Sequence, residues 1–504
     1  MLRGGAPEWV SRIRFVEANE RRIATARVYV KHIICAQNTN ILNQAPPGQS
    51  EGSVYDAGLM RSPASCVAAS LTAVLLGSAF AQGPDVRDAV RERIRGDYPQ
   101  LRAIYEHLHA HPELSFMEVN TAALIAKELR ALGIDVTEKV GRMGVVGVLR
   151  NGPGPTVLLR TDMDALPLKE TTGVPYASTA VVKDLQGRDH PAMHACGHDV
   201  HMTSFIGAAR TLVAVRDRWS GTIVFVAQPA EEIVAGARAM LDDGLYTRFP
   251  KPDFALTFHD DALLPAGKVG YREGPFMSGV SSMDIVVRGV SGHGSAPHTA
   301  KDPVLLASQI VVALQTIVSR EVAPGTRAVV TVGTIHGGLK RNIIPDEVKL
   351  ELTLRAFDPA VMAKLVSAIR RITAGTAQAA GVPEDRLPVV TVTDETIGVT
   401  ANDPALTRRL AKVFTEWMGA DRVSEVEPIN AGEDFSLYGQ TADRVPSVLW
   451  RIGASAPEKF TESARTGVPV PSNHNSGFAP LPEPTITAGV TTMTAAVLEL
   501  LAKK

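Results

Sequence analysis

The chain has few cysteines, few aromatic side chains and no excess of charge of either sign. Its three cysteines cannot build the disulfide framework that stabilises many small secreted folds. Lysine and arginine number 52 and aspartate and glutamate 53, so the broad basic field expected of a nucleic-acid-binding protein is missing. A hydrophobic fraction of 45% with 21% charged residues excludes a wholly disordered or fibrous chain. The 504 residues are enough for two globular domains.

One apolar run near the N-terminus, residues 66–80, is too short to span a membrane. Met60-Arg61 precedes it with a positive charge, and Ala-Phe-Ala at 79–81 has the small-x-small pattern of a cleavage site. We expect residues 60–81 to be a signal peptide and residues 1–59 a spurious or disordered leader. The mature protein is then expected to be secreted into the periplasm, without a stable membrane anchor. The alternative is a genuine leader followed by a buried apolar helix.

The remaining chain alternates between apolar runs typical of strands and segments with helical periodicity. This alternation predicts an α/β fold with a mostly parallel central sheet. The predicted strands are 145–149, 156–160, 222–227 and 254–258, and the predicted helices are 87–135 (interrupted near 109–112), 202–215, 235–242 and 484–501.

The middle of the chain follows another order, strand-helix-strand-strand-helix-strand, which is typical of a ferredoxin-like α+β sandwich. We therefore predict a catalytic domain in two parts, residues 82–278 and 396–504, interrupted by an inserted domain at 279–395. The inserted elements are predicted at 282–290, from Asp302 onward, 328–335, 347–355, 359–380 and 389–393.

Side chains that bind metals collect around the predicted strand ends, where sites form in parallel sheets. They include aspartates, a cysteine, glutamates and histidines: Asp162, Asp164, His194, Cys196, His198, Asp199, Glu231, Glu232, His259 and His474. Thiolate, imidazole and carboxylate suit zinc and related divalent ions, and their number exceeds what one tetrahedral ion uses. Two ions that share ligands and clamp a water molecule fit better. Each residue alone is more often structural, but the combination predicts a metal site.

Two adjacent glutamates at a strand end, Glu231 and Glu232, point in different directions, so one carboxylate can bind metal while the other faces the water as general base. In the inserted domain, glycines flank His293 and His298 follows, a pattern of a loop that approaches a ligand closely. An ordinary turn is an equally good interpretation of that loop. Asn342 and Arg355 are further polar candidates in this domain.

Together these segments resemble the dinuclear-metal aminoacylase and carboxypeptidase family. The resemblance is strongest to its amidohydrolase branch of hippurate hydrolases, N-acyl-amino-acid amidohydrolases and auxin-conjugate hydrolases. The matching segments are LHAHPELSFME (108–118), LLRTDMDALP (158–167), MHACGHDVHM (193–202), AQPAEE (227–232), SGHGSAPH (291–298), NIIPDE (342–347) and AGEDF (431–435).

The resemblance implies a role for each of the candidate residues. Cys196, His198, Glu232, His259 and His474 would bind two divalent ions, zinc or manganese, with cobalt or nickel as alternatives. Glu231 would be the general base and Asp164 would orient the metal site. The inserted domain would be a lid that also forms a homodimer; its His293 or His298 would stabilise the oxyanion, and Asn342 and Arg355 would hold the substrate carboxylate.

The expected function is hydrolysis of the amide bond of small N-acyl amino acids through a metal-bridged water. A metallo-dipeptidase or carboxypeptidase is the alternative enzyme, and a non-catalytic binding protein with an inherited metal site is the alternative of another class. Two departures from the family pattern, Asp260-Asp261 after His259 and the sequence NHNSGFAP around His474, lie near the expected substrate pocket. They affect the expected substrate more than the expected metal site.

Overall fold

The computed structural model describes residues 85–503. The predicted leader at 1–59 and signal peptide at 60–81 lie outside the described residues and stay predictions. The described helices, labelled in chain order, are α1 Val86–Ala110, α2 Val119–Ala131, α3 His198–Ala214, α4 Gly236–Asp242, α5 Leu245–Arg248, α6 Pro303–Thr316, α7 Pro359–Ala379, α8 Pro404–Met418, α9 Ser436–Gln440, α10 Pro457–Thr466 and α11 Pro482–Leu500.

The strands form one large sheet, one smaller sheet and three short two-stranded ladders. In chain order they are β1 Asp135–Val140, β2 Gly144–Asn151, β3 Thr156–Asp162, β4 Val181–Lys183, β5 Asp189–Pro191, β6 Gly221–Gln228, β7 Phe254–Pro265, β8 Val269–Tyr271, β9 Gly274–Met277, β10 Gly279–Arg288, β11 Gly292–His293, β12 Ala328–Gly337, β13 Ile343–Ile344, β14 Glu347–Ala356, β15 Val389–Ile397, β16 Thr400–Asn402, β17 Val423–Glu425 and β18 Ser447–Ser455.

The large sheet has eight strands in the order β1-β2-β6-β3-β7-β18-β8-β17. Its four central strands, β6, β3, β7 and β18, are parallel to one another, whereas β1 and β2 pair antiparallel to their neighbours; β8 is antiparallel to β18 and parallel to β17. The α/β prediction is confirmed, and the sheet is mixed at its flanks. Because the central strands run in one direction, their carboxyl ends meet at one edge.

Helix α3 fixes the position of this edge relative to the rest of the domain. It packs against α1 and α11 on one face of the sheet, and most of its side chains are buried. Phe205 of α3 meets Phe225 of β6 edge to face, with ring centroids 5.4 Å apart. A helix apolar on most sides belongs in the interior of a domain, so its N-terminus at His198 is held against the strand ends.

The smaller sheet is antiparallel, in the order β12-β14-β10-β15, and α6 and α7 cover one of its faces. We call these elements and their connections the small domain. Burial alternates along β14, where Val348, Leu350, Leu352 and Leu354 point into a core separate from that of the large sheet. The order of the elements matches the predicted strand-helix-strand-strand-helix-strand pattern.

Helix α6 and the π-helical turn that follows it, Pro303–Glu321, are long and apolar enough to cross a membrane by length and composition. In the fold, Leu306, Ile310 and Leu314 of this helix are buried in the core of the small domain. Leu305 and Val312 lie on its other side and are 58% and 71% exposed. The helix therefore covers a sheet with one face and leaves an apolar strip uncovered with the other.

A buried ionic cluster ties the central strands to the C-terminal part of the chain. Arg160 of β3 is fully buried and donates to Asp162 at 2.7 Å, to Glu433 at 2.9 Å and to Asp434 at 3.2 Å. Its Nε also donates to Gln228 of β6. One guanidinium thus serves three carboxylates from two distant segments.

We expect Arg160→Met to destabilise the protein strongly, because it leaves Glu433 and Asp434 buried without their cation. The loss should be about 3–5 kcal/mol in the free energy of unfolding measured by urea denaturation. Arg102→Met is the matched control, since Arg102 pairs with Glu106 on the exposed face of α1 and should change stability little. Equal effects of the two substitutions would contradict the assigned role of the buried cluster.

Candidate metal centre

The predicted metal-binding side chains meet at the carboxyl edge of the parallel strands. Asp162 ends β3, Glu231 and Glu232 follow β6, and His198 begins α3. His259 was predicted at the end of a strand but lies inside β7, because β7 stays paired with β18 as far as Asp261. Its side chain nevertheless reaches the same place.

Two groups of three ligands share one cysteine. Cys196, His198 and His259 form one group, and Cys196, Glu232 and His474 form the other; within each group the ligand atoms lie within 4.8 Å of one another. The Cys196 Sγ atom is 3.4 Å from His259 Nε2 and 3.2 Å from His474 Nε2. Ligands about 2.0–2.3 Å from a tetrahedral ion are separated by roughly 3.3–3.8 Å, so this spacing suits a metal.

The imidazoles are oriented by the backbone. His198 Nδ1 donates to the carbonyl oxygen of Asp164 at 2.7 Å, and His259 Nδ1 donates to the carbonyl oxygen of Asp260 at 2.6 Å. Each hydrogen bond fixes the tautomer that leaves Nε2 as an electron-pair donor. His198 Nε2 and Glu232 Oε1 are both buried without a hydrogen-bond partner among the described residues and lie 4.0 Å apart. Two buried ligand atoms without a hydrogen-bond donor are expected where divalent cations bind.

The charge balance of the cluster also favours cations. Burial and the neighbouring Glu232 raise the pKa of the Cys196 thiol well above its usual range. Burial, with Glu433 and Glu232, raises the pKa of Glu231, and burial raises that of Glu232 to about 8. These acids resist ionisation together unless positive charge enters. The donor set and its electrostatics therefore fit two divalent ions that share Cys196.

Asp164 lies beneath the glutamates. Its carboxylate accepts the backbone N–H groups of Glu231 at 3.1 Å and Glu232 at 3.0 Å, and also the hydroxyl of Ser115 at 2.6 Å. Because its own carbonyl oxygen holds His198, this residue positions three of the predicted site residues. Its predicted orienting role stays a proposal, with a geometry that suits it.

A cavity of about 520 Å³ opens over the cluster. Its walls combine the metal-binding side chains with residues of the small domain and the C-terminal segment. They include Cys196, Glu231, Glu232, His259, His474, Asp261, Arg451, Ser282, Arg355, Glu395, Asn430 and Asn473. Among the described residues Arg355 has no hydrogen-bond or ion-pair partner, although it is half-buried and burial lowers its pKa. It is a cation available to a ligand.

Five residues with a predicted role do not line this cavity: Asp164 and His198 are fully buried, and three residues of the small domain lie elsewhere. His293 and Asn342 are exposed and lie next to each other, since β11 pairs with β13 and the Gly294 N–H donates to the Asn342 carbonyl at 2.9 Å. A side chain at Gly294 would approach the Asn342 backbone within 3.1 Å, so glycine permits the contact. His298 is exposed in the following turn. The structure thus places His293 beside Asn342, but both residues lie outside the cavity of the same chain.

The two aspartates after His259 have different surroundings. Asp260 is buried and accepts from His201 at 3.1 Å and from Asn473, so it belongs to the base of the metal cluster. Asp261 faces the cavity and pairs with Arg451 at 2.8 Å. Both side chains of that pair are mostly buried, at 13% and 7% exposure. The cavity wall beside His259 is therefore polar and charged.

Several buried polar residues around the candidate metal centre were not predicted from the sequence. His201 donates to Asp162 at 2.6 Å and contacts Asp260, and it lies one helical turn after His198. That spacing on a buried helix face was a usable signal. His109 lies between Asp199 at 2.6 Å and Glu170 at 3.0 Å, contacts that join distant segments and leave no mark in local spacing.

Residues 158–465 match peptidase family M20/M25/M40. Thermostable carboxypeptidase 2 of Saccharolobus solfataricus is 36% identical over 395 residues, covering 77% of this chain and 93% of that protein. Hippurate hydrolase of Campylobacter jejuni is 36% identical over 347 residues, covering 68% and 85%. A Bacillus subtilis crystal structure, described as a dinuclear metal binding peptidase of family M20, is 28% identical; it aligns with a TM-score of 0.64 over 81% of this chain and 100% of that one.

These similarities agree with the geometry of the site and with the resemblance inferred from the motifs. They also exclude the interpretation of a non-catalytic binding protein with an inherited metal site. The chain belongs to peptidase family M20/M25/M40 and is a metal-dependent hydrolase that acts on amide bonds.

Proposed function

We propose that the protein hydrolyses the amide bond of N-acyl amino acids. The observation that carries the proposal is one cavity that joins the metal-ligand cluster, Glu231 and Arg355, which pairs with no other side chain in the described part of the chain. Hydrolysis of an amide bond requires an electrophilic centre and a base. Binding of the free carboxylate of the substrate requires a cation that lies apart from both. The hippurate hydrolase relative, whose name indicates such a substrate, supports this choice.

We assign one ion to Cys196, His198 and His259 and the second to Cys196, Glu232 and His474. Zinc or manganese suits this mixture of thiolate, imidazole and carboxylate, with cobalt or nickel as alternatives. When bound, the two ions polarise the scissile carbonyl and lower the pKa of a water molecule. The remaining chemistry belongs to the side chains of the chain.

Glu231 is the general base in this proposal. It lines the cavity beside the ligand Glu232, and its backbone is held by Asp164, so its carboxylate has a defined place near the reacting atoms. Glu231 accepts a proton from the attacking water at one carboxylate oxygen. As the carbon–nitrogen bond breaks, Glu231 returns that proton to the nitrogen, which leaves as the amine.

Arg355 binds the carboxylate of the amino-acid part of the substrate. Its guanidinium is planar and can donate two parallel hydrogen bonds to a carboxylate. A half-buried cation without a protein partner is costly, and a bound carboxylate would offset that cost.

We further propose that His293 and Asn342 act on the cavity of a second copy of the chain. They are exposed, joined to each other and absent from the cavity walls of their own chain. Within the described residues β12 is an edge strand of the small sheet, and the uncovered Leu305 and Val312 give the same domain an apolar strip. Both features suit a homodimer through the small domain, in which His293 stabilises the oxyanion; His298 is the alternative residue.

A carboxypeptidase acting on small peptides is the second candidate, favoured by the relative from Saccharolobus solfataricus. Both candidates need Arg355 and Glu231, and they differ in the group on the other side of the amide. The Asp261–Arg451 pair in the wall beside His259 favours polar over purely apolar groups there. Initial rates on benzoyl-glycine, acetyl-glycine and unblocked dipeptides separate the two activities.

Glu231→Gln should lower kcat by about 10²- to 10⁴-fold because glutamine cannot accept the proton. KM and the metal content, measured by elemental analysis, should change little, since no assigned ligand is altered. A variant that binds two metals per chain and turns over at the wild-type rate would show that Glu231 is not the base.

Arg355→Met should lower kcat/KM about 10- to 100-fold for N-acyl amino acids with a free carboxylate. For the corresponding amino-acid amides the loss should be small, because they carry no charge for Arg355 to meet. Arg371→Met is the control: Arg371 pairs with Glu321 on the same domain and lies outside the cavity. Equal losses on acids and amides would assign Arg355 to folding rather than to recognition.

Heterodimers of a Glu231→Gln chain and a His293→Ala chain should be active, although each homodimer is nearly inactive. One of the two sites then combines an intact Glu231 with the partner's intact His293, which predicts about half of the wild-type activity per dimer. Differently tagged chains purified through both tags provide the heterodimer. If His293 serves its own chain, the heterodimer stays inactive.

A further inference from the structure

The turn between β6 and α4 carries both Glu231 and Glu232, and two buried carboxylates hold its backbone. The Ala230 N–H donates to Glu118 Oε1 at 2.8 Å. The next two N–H groups, those of Glu231 and Glu232, donate to the two oxygens of Asp164 at 3.1 and 3.0 Å. Three successive amides are thus held from below by side chains of two other segments.

This turn has an unfavourable backbone conformation. Ala230 and Val234 have φ values of +52° and +58°, a region that non-glycine residues rarely adopt and β-branched ones avoid. Its internal hydrogen bonds close over Ala230, whose carbonyl accepts from Ala235 and Gly236. Because local preference works against this shape, surrounding groups must hold it.

Glu118 has no evident task in its own helix. It occupies the N-cap position of α2, but its side chain makes no capping hydrogen bond. Glu113 takes that task, since its carboxylate accepts the N–H groups of Asn120 and Thr121. Glu118 is fully buried, and its Oε2 has no hydrogen-bond partner among the described residues. A buried carboxyl group with one unpaired oxygen costs stability, so a role outside its helix is expected.

We propose that Glu118 is a positioning residue for hydrolysis: it fixes Ala230 and thereby the direction of Glu231. Asp164 holds the amides of the two glutamates but does not contact the amide of Ala230, the residue in the left-handed conformation. With Glu118 in place the turn is held on both sides of the Ala230–Glu231 peptide. This inference rests on the proposed role of Glu231 as general base.

The test compares three variants with metals loaded. Glu118→Met has similar size and no acceptor for the Ala230 N–H, and should lower kcat about 10- to 100-fold, the effect of a displacement of about 1 Å at a catalytic group. KM and the content of two metals per chain should stay within about twofold. Glu118→Gln retains an acceptor oxygen and should keep a kcat at least about five times that of Glu118→Met.

Glu113→Met is the matched control, because it removes the carboxylate that caps the start of α2 and does not contact residues 230–232. It should lower the melting temperature and leave kcat close to the wild-type value. If Glu118→Met does not fold, Glu118→Asp decides: it keeps the carboxyl group but withdraws the oxygen from Ala230, and it should lower kcat with both metals bound.

Several outcomes would overturn the inference. They are a wild-type kcat in Glu118→Met or Glu118→Asp, a Glu118→Gln variant as slow as Glu118→Met, and a loss of activity that only follows loss of metal. Glu231→Gln separates this failure from failure of the proposed function. If Glu231→Gln is inactive while Glu118→Met is fully active, the inference about Glu118 fails and the role of Glu231 remains.

Discussion

The burial of many acidic groups at one edge of a sheet is the constraint on which the structure depends. Asp162, Asp164, Glu231, Glu433 and Asp434 lie in or beside the interior, where an unpaired charge is expensive. Arg160 compensates the acids below the strand ends, and burial raises the pKa of Glu232 and Asp434, to about 8 and about 7. The acids above the strand ends need cations from solution. Folding of the cluster around Arg160 thus places the remaining acids where they can bind metal ions.

Backbone groups provide the accuracy that this cluster requires. Carbonyl oxygens of Asp164 and Asp260 orient two imidazoles, and carboxylates hold the amides that precede the glutamates. Such contacts set directions more firmly than side-chain packing, because peptide groups in a packed sheet have little freedom. The same dependence makes the site sensitive to residues that never touch a substrate, as Glu118 illustrates.

The two domains divide the work of recognition. In our proposal the large domain supplies the metal ligands and the base, and the small domain places Arg355 in the wall of the same cavity. His293 and Asn342 project from the small domain at another place, so a complete site in our proposal needs a second chain. In that arrangement the second chain would cover the exposed edge of the small sheet and the apolar side of α6.

The sequence by itself determined the fold class, the strand and helix order of the small domain and the set of candidate metal-binding side chains. Periodicity and strand-end chemistry are local, and HACGHD with the Glu-Glu pair is distinctive enough to indicate the metal cluster. Only the tertiary structure decided that β7 continues past His259, that Asp260 accepts from Asn473 while Asp261 pairs with Arg451, and that Cys196 is common to both ligand groups. It also brought Glu118 to Ala230 and Arg160 to Glu433. Those contacts join segments more than a hundred residues apart, where the packing of the sheet, and not local spacing, sets the distance.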